Sequence, residues 1–219
     1  RIRTKSEINI HYQPFCIATI SQKQFNKTPV IRAISDFIKT RKNDKLKSLC
    51  FSSAEKNGAR NILAGEIAAY YQKLGLKTLI VHLDWSHDFD FSDSNPAYLN
   101  EYLCGEVNYQ ALIHRDVVDH LFTRADVGLA ELIKRRQFSA LWEALNDDYD
   151  LLVIDLPPVR ESLFVLNIMK KCDMNIYLID SQISRKNITK SLFSKMENNH
   201  VEVDGIILTN QQKKYKSLI

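Results

Sequence analysis

The 219-residue chain has only six glycines, and its four cysteines, Cys16, Cys50, Cys104 and Cys172, lie far apart with no Cys-x-x-Cys spacing. That distribution supports neither a zinc site nor a disulfide framework, and it fits a reducing compartment. No apolar run approaches the roughly 20 residues that a membrane-spanning helix requires. No signal-peptide pattern opens the chain either. Charge of one sign is not in excess: the formal net charge is +4. That is too mild and too dispersed to imply nucleic acid, although the opening segment and the final residues are locally basic. No Ser-His-Asp or Cys-His arrangement can be assembled from spacing. The first residue is Arg1 and not Met, which suggests a piece of a longer protein, with a membrane segment one candidate for what precedes it.

What is present is an ordinary globular composition, 45% hydrophobic and 26% charged, at a length that suits one domain with a proper core. Residues 1–28 are polar and mixed and are expected to be an extended lead-in or linker. Residues 29–210 carry the domain, and 211–219 form a basic tail. From Pro29 the run VIRAISDFIKTRK has helical spacing, followed by a short buried strand at Leu49–Phe51. A second helix over 61–74 stops at Gly75. TLIVHLD (78–84), DLLVID (150–155), MNIYLID (174–180) and VDGIILTN (203–210) read as strands covered on both faces. Helices are predicted over 97–103, 129–145, 161–172 and 185–197, and 85–100 as a polar surface loop. Alternation of strands and helices predicts an α/β domain with a mostly parallel sheet flanked by helices. Ligands bind such sheets beyond the carboxyl ends of the strands, where the 52–62 loop, Asp84 and Asp155 all fall.

The stretch SSAEKNGARNI (52–62) joins the first buried strand to the next helix, the place of a phosphate-binding loop. Such a loop needs small residues whose backbone N–H groups wrap phosphate, a Lys for the terminal phosphates and a Ser or Thr hydroxyl on Mg²⁺. Here Arg60 stands at the Lys position and Asn61 at the Ser position. In HLDWSHDFD, His82, Asp84, His87, Asp88 and Asp90 are a conceivable metal set, but a solvated loop is the better reading. Lys134 to Arg136 read as the polar face of a helix, and Trp85 and Trp142 as packing residues.

Residues 29–210 resemble the cytoplasmic kinase domain of the bacterial polysaccharide-chain-length tyrosine autokinases, relatives of the MinD/ParA P-loop ATPases. The landmarks are a Pro-entered helix, a strand running into Ser-Ser-Ala, TLIVHLD, AYLNEYLCGE, DYDLLVIDLPPV and DGIILTN. The resemblance implies a P-loop NTPase-like fold, an ATP·Mg²⁺ pocket and tyrosine phosphorylation. The family's Pro-Gly-Glu-Gly-Lys-Ser-Thr aligns with Lys56, Asn57, Gly58, Ala59, Arg60, Asn61 and Ile62. Asn57 would tolerate a left-handed backbone, and Ala59 would be strained wherever the loop needs positive φ.

The first of the family's two further aspartates is His82 here and the second is Asp84. Asp155 keeps the Walker B carboxylate, and Asn210 matches the residue that contacts adenine, with Thr209 as an extra residue before it. The subunit-docking Glu-x-x-Arg-x-x-Arg reads Pro29, Arg32 and Ser35, and the C-terminal tyrosine cluster is reduced to Tyr215. The expectation is therefore a catalytically degenerate, pseudokinase-like domain with no catalytic residue and no metal. Gly58, Arg60, Asn61, Asp84, Asp155 and Asn210 would be a remnant nucleotide pocket with no cofactor bound. Arg60 is read either as a phosphate ligand or as a surface residue of a loop that binds nothing, and filling of the emptied pocket by Arg60 or by larger side chains is left open. Its partners would be proteins of exopolysaccharide or capsule assembly and export, including a transmembrane chain-length-determinant segment, at the cytoplasmic face of the inner membrane, with no nucleic acid. The alternative is an active, divergent tyrosine kinase or ATPase using ATP and Mg²⁺ through Arg60, Asp84 and Asp155. A weaker alternative is a ParA-like positioning factor.

Overall fold

Short runs of Val, Ile and Leu that are apolar on both faces suit strands covered on both sides, and here they line up as neighbours. The computed structural model describes residues 1–12, 14–21, 28–42, 46–84, 97–124, 129–161 and 164–210. Its strands are β1 (Cys16–Ile20), β2 (Ser48–Ser53), β3 (Thr78–His82), β4 (Asp119–Phe122), β5 (Leu151–Asp155), β6 (Met174–Asp180) and β7 (Gly205–Thr209). They form one seven-stranded sheet in the order β1-β7-β6-β2-β5-β3-β4, and every named pairing is parallel. β2 is central. In register, Phe51 pairs with Asp155 and His82 pairs with Asp155, so the carboxyl ends of β2, β5 and β3 lie level.

The helices are α1 (Lys5–His11), α2 (Thr28–Lys42), α3 (Gly58–Lys73), α4 (Leu99–Cys104), α5 (Tyr109–Leu112), α6 (Leu129–Leu132), α7 (Arg136–Asp148), α8 (Phe164–Met169) and α9 (Lys186–Asn198). Successive strand residues point to opposite faces, and the core divides accordingly. Leu49 and Phe51 of β2 join Ile31, Ile34 and Ile38 of α2 and Leu63 and Ile67 of α3. Cys50 joins Ile8 of α1, Leu141 of α7, Ile168 of α8 and Met196 of α9 on the other face. Gly75, at φ 90° just beyond α3, supplies the left-handed residue that ends that helix. Among the described residues no helix is long and apolar enough to cross a membrane.

Several expectations need correction. The opening residues are not an extended lead-in: Thr4 and Glu7 form a capping box that starts α1, Ile2 and Ile8 are buried, and β1 pairs with β7 at the sheet edge. The helix expected over 129–145 is split into α6 and α7, and the one expected over 161–172 shortens to α8. β4 and α5 have no counterpart in the sequence reading, because β4 is four residues long and only Leu121 and Phe122 of it are buried. Most of the expected polar loop and the whole tail with Tyr215 lie outside the described residues.

Candidate functional site

The chain leaves β2 at Ser53, bends through Ala54 and Glu55, and enters α3 at Gly58. Asn57 is the N-cap of α3: its Oδ1 accepts from the Ala59 N–H at 3.0 Å, from an extended backbone at φ −138°. Asn57 therefore makes no use of the left-handed conformation that it would tolerate. Ala59 is not among the described residues with positive φ either, so the condition under which it would be strained does not arise. Gly58 is exposed, and a Cβ there would meet nothing within 4 Å.

Arg60, in the first turn of α3, is wholly buried. Its Nε donates to Asp155 Oδ1 at 2.5 Å, Nη1 to Ser53 Oγ at 2.9 Å, and Nη2 to Asp84 Oδ2. Asp155 is the last residue of β5, and Asp84 follows β3 by two residues, fixed there as the Leu83 N–H donates to the Asp155 carbonyl at 2.9 Å. Both carboxylates are buried, at 2% and 0% exposure. Two carboxylates so far from water repel each other unless a cation lies between them. The planar guanidinium presents separate, fixed donors to both carboxylates and to Ser53, a fork that the single nitrogen of an ammonium does not have. Behind this cluster, burial pushes the Cys50 thiol well above its ordinary range, helped by the Cys172 thiol and the Asp155 charge and opposed by Arg60.

The rest of the edge is also cross-linked. Asn57 Nδ2 donates to Thr209 Oγ1 at 3.1 Å, Ser184 Oγ donates to Glu55 Oε2 at 3.1 Å, and Asn210 Nδ2 donates to Asp180 Oδ2 at 2.6 Å. Asn210, in a left-handed conformation at φ 55°, is thus turned to its own neighbour. The structure brings Arg60, Asp84 and Asp155 into one cluster. Gly58, the half-buried Asn61 and Asn210 stand outside it.

His82 does not join the cluster: its Nε2 lies 3.0 Å from His120 Nδ1 of β4, and its ring stacks with those of His120 and Phe122 at centroid distances of 5.3 and 4.9 Å. Among the described residues no group of three or more His, Cys, Asp or Glu side chains is placed to hold a metal, while His87, Asp88, Asp90 and Trp85 lie outside the described residues. On α2, Pro29 and Arg32 are exposed, but Ser35 is buried and donates to Tyr71 Oη at 3.1 Å. Lys134, Arg135 and Arg136 are exposed, and Trp142 is packed in the core.

The sequence reading placed Ser53 and Glu55 in the loop at this edge without giving either a role, missed Asp180 and Ser184, and gave Asn57 and Thr209 no joint role. The signal available for three of them was the one used for Asp84 and Asp155: Ser53, Asp180 and Thr209 each close an apolar strand at its carboxyl end.

No family model matches the chain. It is similar to CapB of Staphylococcus aureus, named as a tyrosine-protein kinase, with 27% identity over 198 residues that span 85% of this chain and 82% of CapB. It is also similar to the tyrosine-protein kinase Etk of Escherichia coli K12, with 29% identity over 123 residues, 51% of this chain and 16% of Etk. Of solved structures, the chimerical protein CapA2B2 superposes with a TM-score of 0.84 at 22% identity, covering 96% of this chain and 100% of that one. The Etk kinase domain matches at a TM-score of 0.84 and 18% identity, covering 100% and 98%. A plasmid partition protein from Borrelia burgdorferi is a more distant match, at a TM-score of 0.58 and 18% identity over 80% and 84%. The chain's homologues are bacterial tyrosine-protein kinases, and its fold is that of their kinase domains within the MinD/ParA type of P-loop proteins.

Proposed function

We propose that this chain is a catalytically degenerate relative of the bacterial tyrosine kinases that acts as an interaction or regulatory module in exopolysaccharide or capsule assembly and export. Its partners are proteins of that machinery, a membrane-embedded chain-length determinant among them, and it works at the cytoplasmic face of the inner membrane. The observation that carries the reading is the buried guanidinium of Arg60 between Asp84 and Asp155.

Phosphoryl transfer depends almost wholly on positioning and on cations at the phosphates. A P-loop supplies these through a flexible point charge and a hydroxyl on Mg²⁺. Here the residues do not fit that group. The two carboxylates already face a cation belonging to the protein, Arg60 spends its donors on them and on Ser53, and Asn61 offers no hydroxyl. The position of the other family aspartate is held by His82, which faces β4. No catalytic step is therefore assigned to these residues, and the role is one of surfaces.

Calorimetric titration with ATP and ADP, with and without Mg²⁺, tests this directly. No heat and no thermal stabilisation at millimolar nucleotide is the expected result for the unmodified chain, with Arg60→Lys/Asn61→Ser as the comparison. Micromolar Mg²⁺-dependent binding, together with ATP-dependent phosphate on Tyr215, would establish an active kinase instead. Steeply salt-dependent DNA binding would establish a positioning factor.

A further inference from the structure

We infer that the loop between β2 and α3 is fastened to the sheet by its own side chains, with Arg60 as a built-in counter-cation for Asp84 and Asp155. This edge of the domain then keeps one arrangement whether or not nucleotide or divalent cation is present. The inference deepens the reading given under Proposed function and rests on it.

Three independent attachments hold the segment from Ser53 to Arg60. Arg60 reaches the ends of β5 and β3 through Asp155 and Asp84, and returns to β2 through Ser53. Asn57 reaches the end of β7 through Thr209 at 3.1 Å. Glu55 accepts from Ser184, in the connection between β6 and α9, at 3.1 Å, while Ser53 Oγ also donates to the Glu55 carbonyl at 2.7 Å. The loop is thereby anchored to five of the strands or their connections.

Each of these bonds is buried or partly buried, so opening the loop exposes polar groups whose partners are lost, and the guanidinium and two carboxylates would separate in a poorly solvated site. A ligand shifts a conformational equilibrium only by its differential affinity for two states. With the second state removed, binding elsewhere on the domain leaves the loop where it is.

The test is hydrogen exchange of the amides of residues 54–62 in the whole chain, in Arg60→Met, and in Arg60→Met/Asp84→Asn/Asp155→Asn, each with and without millimolar Mg²⁺ and ATP. In the unmodified chain the amides of Ala59 and Arg60, which donate to Asn57, should exchange slowly and at a rate unchanged by Mg²⁺ or ATP. Arg60→Met should raise their exchange by about a hundredfold or more, as loss of one partner of a buried charge cluster does. Mg²⁺ should reverse part of that rise, because it finds two carboxylates without their cation. The triple variant, which has no charge left in the site, should be more thermostable than Arg60→Met without added cation. Unchanged exchange in Arg60→Met, or a triple variant no more stable than it, overturns the inference. If Arg60→Met does not fold, Asn57→Ala and Ser184→Ala report on the same loop: faster exchange supports the attachment and unchanged exchange overturns it. Calorimetric ATP binding with a slow, unaltered loop would overturn the proposed function and leave the attachment standing. Absence of binding with a fast-exchanging loop would do the reverse.

Discussion

The Asn57 side chain joins two ends of the fold at once: its Nδ2 donates to Thr209 Oγ1 at 3.1 Å across 152 residues of chain, while its Oδ1 caps α3 through the Ala59 N–H at 3.0 Å. An N-cap contributes about 1 kcal/mol, and a buried hydrogen bond left without its partner costs about 1–3 kcal/mol. Asn57→Ala should therefore lose about 2–4 kcal/mol of stability in urea denaturation, since both terms are removed together. Asn57→Asp separates them: it keeps the acceptor for the cap and removes the Nδ2 donor. A smaller loss than in Asn57→Ala is expected. Equal losses in the two variants would mean that the cap contributes nothing.

Arg60→Lys restores the residue type of a working phosphate loop and should nonetheless weaken this protein. A lysine ammonium carries the same charge but not the planar fork that spans Asp155, Ser53 and Asp84. The expected loss is about 2–3 kcal/mol, the scale of a charged hydrogen bond removed from a buried site. It should be smaller than that of Arg60→Met, which removes the cation altogether. The midpoint of urea denaturation at constant slope is the measurement, and a lysine variant as stable as the unmodified chain would show that the fork geometry is irrelevant.

These two residues also show where the sequence was legible. β2, β3, β5, β6 and β7 were readable because each is buried along its whole length, so hydrophobicity alone marks it. β1 and β4 were not, because edge strands carry half-buried positions, as Thr19 and His120 do, that break the apolar run. The convergence of Asp84 and Asp155 on the loop followed from topology, since all three lie beyond the carboxyl ends of parallel strands. The fate of Arg60 did not. A guanidinium next to a phosphate loop can face ligand, solvent or its own carboxylates, and only the packing around α3 selects among them.

The stacked His82 and His120 rings give the β3–β4 edge a pH dependence of definite sign. Burial lowers the His120 pKa, an effect that the Asp116 and Asp119 charges oppose and His114 reinforces. The folded state therefore takes up a proton at lower pH than the unfolded chain, whose histidines titrate near about 6.5. Stability from this group is fully present above the unfolded pKa and is lost as pH falls toward the folded one. Urea denaturation at intervals between about pH 7.5 and about pH 5.5, the window of histidine titration, should show falling stability in the unmodified chain. His120→Gln, which cannot take up the proton, should show a flatter profile. A profile as steep in His120→Gln would place the proton uptake on another group.

Gly205 tests whether β1 is part of the folded sheet, the point on which the sequence reading went most astray. It opens β7, and a Cβ built on it would lie 2.7 Å from Ile17 Cγ1 and 3.1 Å from Phe37 Cε1, with Ile17 Cδ1 closer still. The register between β1 and β7 shifts between Cys16 and Ala18, and Ile17 is the residue at that irregularity. Gly205→Ala should thus overpack the contact between β7, β1 and α2 and lose about 1–3 kcal/mol. Ile17→Ala alone removes packing at a half-buried position and should lose less. In the double variant the added methyl enters the space that Ile17 vacates, so its loss should fall short of the sum of the two by about 0.5–3 kcal/mol, the range of coupling between residues in contact. Strict additivity would mean that Ile17 does not sit over Gly205, and β1 would then have no packed place against β7.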